Sequence, residues 1–188
     1  MVVSLASLAA IPLPVLPLQI LFLNLVTDVF PALALGVGEG DNQTMRGSPR
    51  EPKEPIITAK GWLAITVYGL LITISVLGSL IVALWVLKMK EGQAVSVSFL
   101  TLAFGQIFHV FNMRDRGSGF LVNDITRNLY IWIAIGLCAF LILLAVYIPV
   151  IASVLGVVQP GREGWMLIIG MSLIPIIIGQ IHKCLVGR

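Results

Sequence analysis

Apolar residues fall in six runs, at about residues 2–11, 18–37, 62–87, 95–112, 129–150 and 165–181, and the polar or proline-rich stretches lie between them. The last five are each long enough to cross the hydrocarbon core of a bilayer as a helix, which takes roughly 20 residues. The pattern predicts an all-α polytopic membrane protein, a bundle of about six transmembrane helices forming a single membrane domain over residues 1–188. The first run, VVSLASLAAI, is the exception. As a helix it extends only about 15 Å, half of the hydrocarbon core, and it lacks the basic start of a signal peptide. The expectation is that Met1 begins partway down a transmembrane helix and that the chain is the C-terminal part of something longer.

The connectors carry the charge. Residues 38–61 hold four basic and four acidic residues together with Pro49, Pro52 and Pro55, which predicts a water-exposed, extended strap. It either connects two helices or offers a docking surface to a soluble domain. KMKEGQ at 88–93 is a short link, and SVLGVVQPGRE at 153–163 a tight return. In the basic, glycine-containing loop 113–128, Asn123 or Asp124 is placed to cap a short helix. Tyr130, Trp132 and Tyr147 lie toward the ends of their run as interfacial anchors, and Gly69, Ser75, Gly78 and Ser79 allow close helix approach. On alternate sides of the bilayer, nine lysines and arginines face three, with Lys88, Lys90 and Arg162 the smaller group. That asymmetry predicts that loops 38–61 and 113–128 and the C-terminus are cytoplasmic.

Composition narrows the class further. The chain is 58% hydrophobic and 11% charged, with a mean hydropathy of +1.01, which excludes an ordinary soluble domain. A net charge of +3 spread over loops leaves neither a nucleic-acid footprint nor a polybasic lipid-binding patch. Cys138 and Cys184 sit in different apolar runs with no metal or redox spacing and read as packing residues. The water-exposed segments hold no P-loop, no nucleotide-binding glycine pattern and no catalytic constellation.

One residue breaks the pattern. Of nine acidic side chains, only Asp28 lies inside an apolar run. An ionisable group at membrane depth costs roughly 2.5 to 3.5 kcal/mol on insertion scales and by default marks an ion or substrate pathway. Asn24 is one helical turn before it and Thr27 adjacent, so on a helix three oxygen-bearing side chains are expected to converge. Pro31 offers no N–H to the carbonyl of Thr27 and is expected to loosen the helix there. Carboxylate, amide, hydroxyl and freed carbonyl make a hard oxygen set suited to calcium, manganese, magnesium or an alkali ion. The plainer alternative is a proline-kinked helix with Asp28 protonated or paired. In the run 95–112, Gln106 and His109 share a face, with Asn112 nearer the membrane edge. Gln106 either adds an oxygen ligand or bonds a neighbouring helix, and His109 reads as a hydrogen-bonded or interfacial histidine.

NLVTDVFPALALG, Asn24 to Gly36, resembles the sixth transmembrane helix of P-type cation-transporting ATPases, most closely the calcium-pump branch. The prolines before LQILFLNLVTD resemble that family's turn between helices five and six. MRGSPREPKEPIIT resembles its proline-rich loop, FGQIFHVFN its eighth helix, and YIP at 147–149 the end of its ninth. The resemblance spans nearly the whole chain, which would run from most of helix five through helix ten. It implies a pump that couples ATP hydrolysis, through an aspartyl-phosphate, to outward movement of a cation. ATP and Mg2+ would then act only through cytoplasmic domains upstream, and helices one to four would also lie before Met1. The partners implied are the lipid bilayer, the transported cation and those upstream segments. By the same resemblance Asn24 and Asp28 match helix-six cation ligands, and Thr27 a residue of the second site in two-ion calcium pumps. Gln106 falls where some relatives carry glutamate, which favours a single site. Asparagine at 24 favours Ca2+ or Mn2+ over monovalent ions. The rival reading is a non-enzymatic channel or carrier subunit, or a helical scaffold, that retained the motif.

Overall fold

The computed structural model describes residues 1–9, 11–37, 57, 59–113 and 128–186. Most of the 38–61 strap, the 113–128 loop with Asn123 and Asp124, and the side chains of Lys183 and Cys184 lie outside the described residues. Within them all regular secondary structure is helical. α1 is Val2–Leu8 and α2 is Pro17–Leu23, which continues through a π-helical segment, Asn24–Val29, into α3, Phe30–Val37. α4, Ala59–Ile81, ends in a second π segment, Val82–Val86. α5 is Glu91–His109, α6 Leu129–Tyr147, α7 Pro149–Leu155 and α8 Gly161–Val186. Five helices are long and apolar enough to cross a membrane, at Pro17–Val37, Gly61–Val86, Glu91–Asn112, Leu129–Tyr147 and Gly161–Ile181.

Three boundaries differ from the sequence expectation, each for a local reason. α5 begins at Glu91 because Lys90 turns to an extended conformation and its carbonyl accepts the N–H groups of Gln93 and Ala94. The link before it is therefore only a few residues long. The run 129–150 stops at Tyr147: Pro149 holds Ile148 extended (ψ 114°) and starts α7 at its own first turn. Gly156, at φ +65°, closes α7. The first run yields only the seven residues of α1.

α5 is the axis of the bundle. Over an 18-residue stretch of its span 67% of the residues are buried, against 28% to 33% over equal stretches of the other four. Phe99, Leu100, Val97, Ala103 and Ile107 of α5 are fully buried and meet Leu80 of α4, Cys138 and Ile142 of α6 and Ile168 of α8 in one core. Small residues permit the approach. A Cβ on Gly164 would come within 3.3 Å of Val97, and one on Gly179 within 2.7 Å of Tyr68.

The polar groups of α5 are answered inside the bundle. The hydroxyls of Ser96 and Thr101 donate to Gly92 and Val97 carbonyls of their own helix. Ser98 donates to the carbonyl of Pro14, and Ser96 Oγ accepts from the N–H of Val158, so two return loops are tied to the central helix. Gln19, fully buried, accepts from the N–H of Leu16 and donates to the carbonyl of Leu155, which fixes the start of α2 against the end of α7.

Candidate cation site on the broken helix

The span Pro17–Val37 is interrupted where the chemistry sits. Asn24–Val29 has π-helical hydrogen bonding, in which each N–H reaches back five residues and the turn widens. Pro31 explains why the α register fails. Its nitrogen carries no hydrogen, so the carbonyl of Thr27, four residues earlier, has no α-helical donor. In the π register the same proline deprives a different carbonyl, that of Val26, five residues earlier. The loosening thus occupies the turn before Pro31, and Pro31 itself lies buried at the start of α3.

The fold divides the three oxygen-bearing side chains. Asn24 and Asp28 are both exposed, along a face shared with Leu21, Leu25, Val29 and Leu33. Thr27 is buried on the other side. Its hydroxyl Oγ1 lies 2.9 Å from the carbonyl oxygen of Leu23 and 2.9 Å from Oε1 of Gln106, so one proton faces two acceptors. The structure therefore pairs Thr27 with Gln106 and pairs Asn24 with Asp28 in exposure. Among the described residues Asp28 has no ion-pair partner, and no group of three or more His, Cys, Asp or Glu side chains is assembled.

Two contacts from α6 hold this helix, and neither is evident from local sequence. The thiol of Cys138 donates to the carbonyl of Val26 at 2.9 Å, and the Asn128 amide donates to the carbonyl of Ala34 at 3.2 Å. Asn128 also caps α6 by accepting the N–H of Tyr130.

His109 belongs to a separate polar cluster. Asn112 Nδ2 lies 3.4 Å from His109 Nδ1 and donates to the Pro175 carbonyl at 3.3 Å. Gln180 donates to the Phe111 carbonyl and to Asn112 Oδ1. The rings of Tyr68 and His109 meet edge to face at 4.9 Å. His109 is thus a hydrogen-bonded histidine between helices, and Gln106, one turn before it, faces Thr27 instead.

The family model for the C-terminus of cation transporting ATPases matches residues 12–185. The chain is 36% identical over 176 residues to a calcium-transporting ATPase of Bacillus subtilis, an alignment covering 93% of this chain and 20% of that protein. It is 28% identical over 184 residues to calcium-transporting ATPase 1 of Bacillus cereus, covering 90% of this chain and 21% of the other. A shorter stretch of 60 residues, 32% of this chain and 4% of the other, is 45% identical to the P-type sodium-transporting ATPase4 of Toxoplasma gondii. The chain spans about a fifth of the length of the two bacterial relatives.

Proposed function

The chain belongs to the cation transporting ATPase C-terminus family, and from that membership we propose that it forms part of the membrane pathway of an ATP-driven pump for Ca2+ or Mn2+. The observation that carries the reading is the exposed pair Asn24 and Asp28 on a π-broken span. A carboxylate on the outer face of a transmembrane helix is costly unless another surface covers it. Beside an amide oxygen on the same face it is half of a hard-cation site. In this reading, upstream segments of the full-length pump close over the face and supply the remaining oxygens. Asp28 contributes charge and Asn24 a carbonyl oxygen. Thr27 and Gln106 hold the helix in place from behind, which leaves a single cation site on this side of the pathway. ATP and Mg2+ act at the upstream cytoplasmic domains, and the strap 38–61 and loop 113–128 face those domains from the cytoplasmic side.

The bacterial relatives named for calcium match almost the whole chain, whereas the relative named for sodium matches a third of it, which favours a divalent ion. The test is a chimera in which this chain replaces the matching region of the Bacillus subtilis calcium-transporting ATPase, assayed for ATP-driven calcium uptake into sealed vesicles. Uptake is expected with the native chain and expected to fall to background with Asp28→Asn at equal membrane levels. Undiminished uptake by the variant would remove Asp28 from the pathway. Transport of Mn2+ alone would assign the ion.

A further inference from the structure

We infer that Cys138 is a positioning residue for the cation site: its thiol takes the place of the missing backbone donor at Val26 and thereby holds in place the π segment that carries Asn24 and Asp28. The inference rests on the proposed cation pathway and names a device that sets its geometry.

The argument starts from the backbone. A π segment is a rare, strained arrangement that competes with the α register. Where it runs into Pro31, the carbonyl of Val26 points toward a nitrogen that has no hydrogen to give. A carbonyl left without a donor at membrane depth, away from water, is costly. Val26 is 2% exposed and Cys138 is fully buried, so water does not reach the pair, and the thiol of α6 donates to this carbonyl. Serine and threonine elsewhere in the bundle bond mostly to carbonyls of their own helix or to return loops. Cys138 instead crosses 112 residues of sequence to a carbonyl in the π segment. Asn128, which caps α6, does the same to Ala34, past the proline, so α6 and its cap grip the span on both sides of Pro31. Thr27, the residue after Val26, shares its peptide plane and is turned inward to Gln106. Holding the Val26 carbonyl therefore holds Thr27 behind the helix and leaves Asn24 and Asp28 in front.

A merely space-filling cysteine and a positioning one respond differently to substitution. Cys138→Ala removes the donor, and Cys138→Ser replaces it with a hydroxyl donor of similar reach. In the chimera, Cys138→Ala is expected to raise the calcium concentration for half-maximal uptake about fivefold, the scale of one neutral hydrogen bond, with the maximal rate unchanged. Cys138→Ser is expected within about twofold of native. Equal half-saturation in all three, or a loss in amount of folded protein alone, overturns the inference. If the native chimera moves no cation, the proposed pathway fails first, and a second readout then decides the hydrogen bond alone. With a 13C label on the Val26 carbonyl in the full chain in nanodiscs, Cys138→Ala should raise its infrared stretching frequency and Cys138→Ser restore it. An unmoved band overturns the inference independently of transport.

Discussion

Two of the spans of this bundle treat the oxygen-bearing side chains of an apolar helix in opposite ways. In α5 the hydroxyls of Ser96, Ser98 and Thr101 are buried and each donates to a carbonyl of the bundle. In the span Pro17–Val37 the strongest polar group, Asp28, stands exposed beside Asn24 on a face that nothing described covers. α5 is complete as it stands. The other helix is complete only on the side that Cys138, Asn128 and Gln106 hold. Polarity within a membrane helix does not by itself mark a site. A polar group that the surrounding helices leave unanswered, next to a backbone they have taken care to hold out of register, does.

The comparison breaks most sharply at Asp28. Asp28→Asn is expected to reduce calcium uptake by the chimera to background, while resistance of the chain to unfolding in mixed detergent micelles stays within about 0.5 kcal/mol of native, because the side chain has no ion-pair partner to lose among the described residues. A large loss of stability would show that Asp28 is a packing element like the serines of α5. The reverse behaviour is expected at Phe99, fully buried in α5 against Phe22. Phe99→Ala should cost about 3 kcal/mol in the same unfolding assay. That is the low end for such a truncation, because helices in lipid lose packing contacts but not a water-transfer term.

How far these differences were legible in the sequence depends on the range of the interaction. Helix positions follow from apolar run length, and the exceptional status of Asp28 from its isolation among apolar neighbours, both of which are local. The break before Pro31 was legible in kind but not in place. Proline announces a missing donor, yet whether the carbonyl of Thr27 or of Val26 goes without depends on whether the turn is α or π. The expected convergence of Asn24, Thr27 and Asp28 followed from their spacing alone, whereas the packing of the bundle buries Thr27 against Gln106 and leaves Asn24 and Asp28 exposed. Gln106 and Cys138 meet this helix from 79 and 112 residues away, and no local pattern encodes which buried amide or thiol a tertiary fold brings to a carbonyl. The role of Gln19 is hidden from local sequence for the same reason: its partner at Leu155 is 136 residues distant.

The smallest expected effect is the most controlled one, because two of the buried threonines of the bundle, Thr27 and Thr101, stand in nearly the same circumstance. Thr27 lies 2.9 Å from the carbonyl of Leu23 and Thr101 lies 2.8 Å from that of Val97, each four residues back in its own span. Valine replaces either side chain at the same size and removes only the hydroxyl. At Thr101 the carbonyl left behind is otherwise bonded within the α-helix, so Thr101→Val should change stability by less than about 0.5 kcal/mol. At Thr27 the hydroxyl also meets Gln106 from a different helix, and its removal strands a half-buried amide oxygen. Thr27→Val should therefore cost about 1 kcal/mol more than Thr101→Val. Gln106→Leu made together with Thr27→Val should recover most of that difference, because the orphaned amide is gone. Equal costs at the two threonines would mean that the Gln106 contact adds nothing to the hold on the broken helix. The separation of Thr27 from the Asn24 and Asp28 face would then rest on the apolar packing of the bundle and on Cys138 alone.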